Sequence, residues 1–75
     1  MIKELDLVVL TRDVPEGGLK AGDVGTVVFV HDEEAFEVEF VSAAGETLAV
    51  LTLKAAELRP MDGAEILHVR GLASL

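Results

Sequence analysis

The side chains of this sequence that could perform chemistry are mainly carboxylates, and two of them, Glu37 and Glu39, stand two positions apart. They alternate with Phe36, Val38 and Phe40, a period of two that predicts a strand with one buried face and one face in water. Glycosidases use such a pair when the surroundings separate the two pKa values. On a solvated strand both carboxylates would be equally hydrated, and a chain of 75 residues is too small for a substrate cleft. We therefore interpret the pair as a solvent-facing surface rather than as a catalytic site.

A second cluster, His31-Asp32-Glu33-Glu34, places one imidazole and three carboxylates in succession. Neighbouring residues on a turn cannot all point at one ion, and the glycine-punctuated spacing of a calcium loop is absent. Cysteine is absent as well, which removes the thiolate ligands of structural zinc sites. The sequence thus predicts a solvated hairpin connection here, with no metal ion and no cofactor.

Hydroxyl groups give no stronger catalytic signal. Ser42, Ser74 and the four threonines lie outside any elbow motif, and no spacing joins one of them to His31 or His68 as a triad. We expect these hydroxyls to serve turns and strands, and we expect the protein not to be an enzyme.

Charge is the property of the composition that says most about partners. Fourteen acidic residues against six basic ones give a net charge of −8 at pH 7, so nucleic-acid phosphates and anionic membranes would be repelled, whereas a basic protein surface would be attracted. We expect the acidic residues around the third predicted strand to form one patch facing such a partner, with a scattered solvated surface as the competing interpretation. These residues are Asp32, Glu33, Glu34, Glu37, Glu39 and Glu46.

Five short strands are predicted to position these residues, over residues 5–10, 24–31, 35–41, 46–53 and 58–60. The long connection before the second strand contains Pro15 and the pair Gly17-Gly18, which favour a loop over a helix. The connection after the fourth strand is long enough for one helical turn, and Pro60 suits an edge strand because it offers no ladder donor. Five strands, a long first loop and a short helical turn before the last strand are the plan of a small all-β, SH3-like barrel.

The remaining residues, 61–75, are expected to form an extension outside a barrel domain of residues 1–60. Asp62 and Glu65 have the spacing of a helix cap, whereas the alternation that follows them would suit a strand, and we favour a strand or an extended arm. The segment is too apolar for a disordered end, so we expect it to cover the barrel or a second copy in a homodimer. The residues expected to make this self-association contact are Ile66, Leu67, Val69 and Leu72.

No targeting segment is evident in the sequence. Residues 1–6 carry charges and lack the apolar core of a signal peptide, and no apolar run approaches the ~18 residues that a membrane span needs. We therefore expect a cytoplasmic protein with no membrane partner.

Four blocks of the sequence stand out together: Leu5-Asp6-Leu7-Val8-Val9-Leu10, Leu19-Lys20-Ala21-Gly22-Asp23-Val24-Gly25-Thr26-Val27-Val28, Phe36-Glu37-Val38-Glu39-Phe40 and Leu58-Arg59-Pro60. Over residues 2–61 they resemble a small bacterial family known as domain of unknown function 4926. The resemblance implies an SH3-like fold. Because genes of this family often stand beside toxin genes, it also implies an antitoxin or immunity-type role, and it brings no catalytic residues.

The leading functional hypothesis is a non-catalytic barrel that binds and neutralises a basic partner protein. A second hypothesis comes from residues 22–27, Gly-Asp-Val-Gly-Thr-Val, which resemble the glycine-containing turn of KOW-type domains that bind RNA or ribosomal partners. Against it, six basic residues are few for tracking phosphates, and no exposed aromatic is evident for stacking on bases. A third hypothesis is an acidic mimic of nucleic acid.

Overall fold

Five antiparallel strands form one sheet in a computed structural model that describes residues 1–72. The strands are β1 (Leu7–Leu10), β2 (Val24–Val30), β3 (Ala35–Val41), β4 (Thr47–Lys54) and β5 (Leu58–Pro60), and their order in the sheet is β4-β3-β2-β1-β5. Two short 3₁₀ turns interrupt the connections, Pro15–Gly17 before β2 and Ala55–Glu57 before β5. The predicted all-β fold, with its long first loop and helical turn before the last strand, is confirmed.

The barrel itself is less closed than the sequence suggested. Within residues 1–72 the ladder begins at β4 and ends at β5, so these two strands are edges of an open sheet. β5 has three residues and ends at Pro60, which carries no N–H for a further ladder bond. This leaves β4, with eight residues, as the long free edge of the sheet.

One face of the sheet forms the core, and β3 shows why. Its residues alternate, so that Phe36, Val38 and Phe40 are buried while the glutamates between them face the other way. Val8 and Val27 from the neighbouring strands pack into the same cluster. These apolar side chains therefore fill one side of the sheet, which leaves the other side for contacts with solvent or partners.

Two glycines near the start of β2, Gly22 and Gly25, are explained by the local structure. A Cβ on Gly25 would lie 2.6 Å from Val38 Cγ1 and 2.8 Å from Phe40 Cε2, so the side chains of β3 fill the space that a side chain at position 25 would need. Gly22 has a φ of +94° in the turn that enters β2. The fold thus requires both glycines whatever the protein binds.

The long first loop is held down by two of its own apolar residues. Val14 and Leu19 form an isolated bridge across the loop, and both are buried in the core cluster. At Asp23, where the loop ends, the carboxylate accepts a hydrogen bond from the Lys20 backbone N–H at 2.9 Å. The loop is therefore an ordered part of the fold.

Residues 61–72 contain neither helix nor strand and run as an extended arm. The predicted cap residues form a single turn: the Asp62 N–H donates to Glu65 Oε1 at 2.6 Å, and Asp62 Oδ1 accepts from the Ala64 N–H at 2.8 Å. The turn does not continue into a helix. Ser74 lies outside the described residues, as does the rest of the predicted extension beyond Leu72.

No helix within residues 1–72 has the length and apolar character needed to cross a membrane.

Candidate functional site

The side of the sheet opposite the core carries the groups best suited to contact a partner. Strand pairing aligns Thr26, Glu39 and Val50 in one row and Phe29, Glu37 and Thr52 in the next. Residues paired across an antiparallel ladder point to the same side. We call these six residues the outer face.

Two exposed apolar side chains stand on the outer face. Phe29 on β2 and Val50 on β4 each keep 51% of their surface exposed. A large aromatic group left half in water is the kind of anchor that protein interfaces use. The outer face is therefore more apolar than the alternation of glutamates on β3 indicated.

A β-bulge explains why the sequence did not reveal Phe29. The pairing shifts between Val27 and Phe29, so that Phe29 lies opposite Glu37 and Val30 lies opposite Phe36. Without the extra residue, Phe29 would point into the core. The expectation of no exposed aromatic is wrong for this physical reason.

Glu37 is held by two neighbouring side chains, one of which packs against Phe29 in turn. His31 Nε2 and Thr52 Oγ1 each lie 2.6 Å from Glu37 Oε2, and the edge of the Phe29 ring packs on His31 with the ring centroids 5.0 Å apart. The hydrogen bonds from His31 and then Thr52 lower the pKa of Glu37. An ionised carboxylate can only accept, so His31 Nε2 carries the donated hydrogen.

Glu39 is fixed in a similar way from the adjacent strand. Thr47 Oγ1 donates to Glu39 Oε2 at 2.6 Å, and the side chain is half-buried beside Val50. Both carboxylates are therefore half-buried and hydrogen-bonded, where the sequence predicted a well-solvated pair. A general acid at neutral pH needs a raised pKa, whereas the pKa of Glu37 is lowered, so Glu37 acts as a fixed negative charge beside apolar surface.

The other predicted acidic residues lie at the two ends of β3. Asp32, Glu33 and Glu34 occupy the hairpin before β3, where Asp32 Oδ1 accepts hydrogen bonds from the N–H groups of Glu34 and Ala35 at 2.7 and 3.0 Å. Glu46 follows the hairpin after β3. A strand of seven residues is about 20 Å long. Glu37 and Glu39 thus share the outer face, while the other four acidic residues lie in the hairpins at the two ends of β3.

The basic residues are distributed so that half of them are engaged with carboxylates. Each of the three arginines forms an ion pair: Arg12 with Glu57, Arg59 with Glu65 and Arg70 with Asp23, at 2.7, 2.7 and 2.6 Å. The three lysines are exposed in separate places, before β1, in the first loop and at the end of β4. This arrangement gives no continuous basic track for a phosphate backbone.

The arm is pinned at two points and leaves its apolar side chains outside. Arg70 holds both oxygens of Asp23, at 2.8 and 2.6 Å, and reaches the Gly18 carbonyl at 3.3 Å. Between the ion pairs, most of the predicted self-association residues are exposed. Ile66 is 85%, Leu67 58% and Val69 93% exposed, while Leu72 is half-buried.

Within residues 1–72, no group of three or more His, Asp or Glu side chains is arranged to hold a metal ion. The functional residues that sequence reasoning missed are Phe29, Val50 and the two threonines that hold the carboxylates, Thr47 and Thr52. Their placement depends on the bulge in β2 and on the register of β4. The sequence carries no signal for either.

Comparison with known proteins gives one match. A protein-family model described as "Domain of unknown function (DUF4926)" matches residues 4–60. No curated protein and no solved structure matches the chain. The matched segment ends with β5, so it includes the outer face and leaves the arm outside.

Proposed function

The chain belongs to the DUF4926 family, and from that premise we propose that it is a non-catalytic protein-binding module whose outer face engages a basic partner protein. The observation that carries the proposal is the position of Phe29 and Val50, half exposed beside Glu37 and Glu39 on the same face. Burying an aromatic anchor supplies affinity, while fixed charge at its side supplies orientation.

The charge of the whole chain supports the same assignment. A net charge of −8 attracts a basic surface over a Debye length and accelerates encounter with it. Because the Glu37 and Glu39 side chains are already positioned by His31, Thr52 and Thr47, little side-chain entropy is lost when a cation docks on them.

In cellular terms, the proposed module is a bacterial antitoxin or immunity-type protein that acts in the cytoplasm by covering the basic surface of a toxin. Covering such a surface blocks access of an anionic substrate without any chemistry by the module. Co-expression with a toxin gene from the same neighbourhood, scored by growth, tests this role. Fractionation of cells that produce the protein tests its location.

A pull-down with matched variants tests the binding function. Wild-type protein is expected to recover one stoichiometric, nuclease-resistant protein partner, and the double variant Phe29→Ser, Val50→Ser is expected to lose it. Glu39→Lys is expected to lose the partner as well, whereas Glu16→Lys in the first loop makes the same charge change away from the outer face and should retain it. Equal recovery by all variants, or recovery that nuclease abolishes, would overturn the proposal.

We also propose that the arm is a contact surface for a second copy of the chain. Three of its apolar residues, Ile66, Leu67 and Val69, are exposed although the segment is held in place by ion pairs at both ends. Leu5 and Leu7 lie across an open groove from Ile66 and Leu67 and offer apolar surface to cover. Sedimentation equilibrium should show a dimer that Ile66→Ser with Val69→Ser weakens; a wild-type monomer at all concentrations would contradict this.

A further inference from the structure

The free edge of β4 offers backbone hydrogen-bonding groups in a fixed alternation. The Ala55 N–H donates to the Glu34 carbonyl at 2.9 Å, just beyond the Ala35–Lys54 pair. This bond identifies that pair as one of the non-hydrogen-bonded pairs of the ladder. Counting back along β4, Leu53 and Leu51 bond to β3, whereas Thr52 and Val50 direct their N–H and C=O groups away from it.

The edge is left open at Val50 and Thr52. Among residues 1–72, no strand pairs with β4 other than β3, and no backbone hydrogen bond joins either residue to another element. Both residues are exposed. The N–H of Lys54, by contrast, is satisfied by Glu57 Oε1 at 2.9 Å, which closes the edge at its end.

The usual protections against strand addition are missing from β4. The strand is eight residues long, contains no proline, and carries its one charge at the terminal Lys54. Native sheets normally shield such an edge with charges, prolines or a covering segment. An open and unshielded edge suits recognition by β-augmentation, in which an extended segment adds a strand.

Charge decides which segment fits this edge. Alternate side chains of an added strand would lie on the outer face beside Val50 and Thr52, about 10 Å from the backbone of β3 at the usual strand spacing. Long cationic side chains from that position extend towards Glu39 and Glu37. The β4 strand of a second copy has one cation, Lys54 at its end, and therefore could not place basic side chains at successive alternate positions.

We propose that the β4 edge binds an extended segment of a partner protein as a sixth strand, with lysine or arginine at the alternate positions that face Glu37 and Glu39. This inference rests on the proposed protein-binding function and specifies the form in which the partner is recognised. Main-chain hydrogen bonds to Val50 and Thr52 fix the register of the added strand, and the carboxylates of Glu37 and Glu39 favour segments with basic side chains.

The test uses the full chain and a defined probe, the peptide acetyl-(Lys-Val)4-amide, followed by NMR at low ionic strength. The peptide is expected to shift the amide signals of Val50 and Thr52 and to slow their hydrogen exchange. A peptide N-methylated at the alternate residues that face β4 is expected to bind at least about tenfold more weakly, since N-methylation removes the N–H groups that would donate to the Val50 and Thr52 carbonyls. Acetyl-(Glu-Val)4-amide is expected not to bind.

Two variants complete the design. Val50→Pro removes an N–H that faces solvent, so the β3 ladder is retained while peptide binding is lost; Glu39→Lys weakens binding of the basic peptide. Equal binding of the N-methylated and unmodified peptides to the wild-type chain, absence of any binding, or protection of Val50 and Thr52 by a second copy would each overturn the inference. Loss of the natural partner by the Phe29→Ser, Val50→Ser variant would then still stand, so failure of the edge and failure of the outer face are distinguishable.

Discussion

The two edge strands of this sheet, β4 and β5, differ in length and in how far they remain open to further pairing. β5 has three residues, ends at Pro60 and leads into an arm that is fastened by the Arg59–Glu65 and Arg70–Asp23 pairs. β4 has eight residues and no such continuation, and it pairs with β3, which carries the two outer-face glutamates. The difference leaves β4 as the edge at which a further strand could pair.

The largest expected effect comes from the residue that fixes β5 to the core. Leu58 is buried and belongs to the core cluster, so Leu58→Ala should lower the free energy of unfolding by about 2–5 kcal/mol through lost transfer energy and a residual cavity. Leu48→Ala on β4 removes an exposed side chain and should change it by less than about 0.5 kcal/mol. Guanidinium denaturation of both variants measures the difference. Equal losses would show that the two edges are anchored alike.

A second substitution tests the close packing of the core between β2 and β3. Gly25→Ala places a Cβ within 2.6 Å of Val38 Cγ1 and should cost about 1–3 kcal/mol of unfolding free energy by overpacking. Gly63→Ala adds the same atom to the arm, where nothing lies within 4 Å, and serves as the control. Thermal unfolding of the two variants compares them; a Gly25→Ala protein as stable as its control would contradict the packing described here.

Loss of the ion pair that holds the arm should change the mobility of the arm without changing the stability of the whole fold. Arg70→Met removes the contacts to Asp23 and the Gly18 carbonyl, and we expect lower NMR backbone order parameters in residues 66–70 with little change in the unfolding midpoint, because exposed pairs contribute little to stability. Arg12→Met breaks a comparable ion pair with Glu57, away from the arm. If both variants loosen the arm to the same extent, Arg70 is not its fastening.

The smallest effect is expected from acid, and its direction follows from the carboxylates. Hydrogen bonds from Arg59 and from the Asp62 N–H lower the pKa of Glu65 to about 2, and the Arg70 side chain lowers the pKa of Asp23. A depressed folded-state pKa contributes stability that is present above the unfolded value and is lost as pH falls through the folded one. The Arg59–Glu65 ion pair should therefore persist below pH 4.5 and break near pH 2.

Carboxyl carbon chemical shifts of Glu65, followed by NMR during acidification, measure this directly. A Glu65 midpoint at the ordinary glutamate value of 4.5 would show that the Arg59–Glu65 ion pair does not hold in solution.

Patterns that depend on neighbours in the sequence were predictable. β3 and β5 have the predicted bounds because the alternation around Glu37 and Glu39 and the ending at Pro60 are local signals. The hairpin before β3 was predictable for the same reason. The Asp32 side chain bonds to the backbone two and three residues later, as turn-forming aspartates do.

Features that depend on tertiary register were not predictable. The run Val27-Val28-Phe29-Val30 has no alternation, so nothing local tells which residue the bulge skips or that Phe29 faces outward. Thr52 reaches Glu37 across 15 positions of sequence, and Arg70 reaches Asp23 across 47. Such contacts depend on how whole strands pair and on the path of the arm, so they cannot be inferred from the local sequence around each residue.

The most direct test of the open β4 edge is residue-resolved hydrogen exchange in the dilute protein, before and after its partner is added. The alternation of the ladder predicts fast exchange at Val50 and Thr52, slow exchange at Leu51 and Leu53, and slowing of the two fast amides when the partner binds. Uniform protection along β4 in the free protein, or no change at Val50 and Thr52 in the complex, would contradict the account.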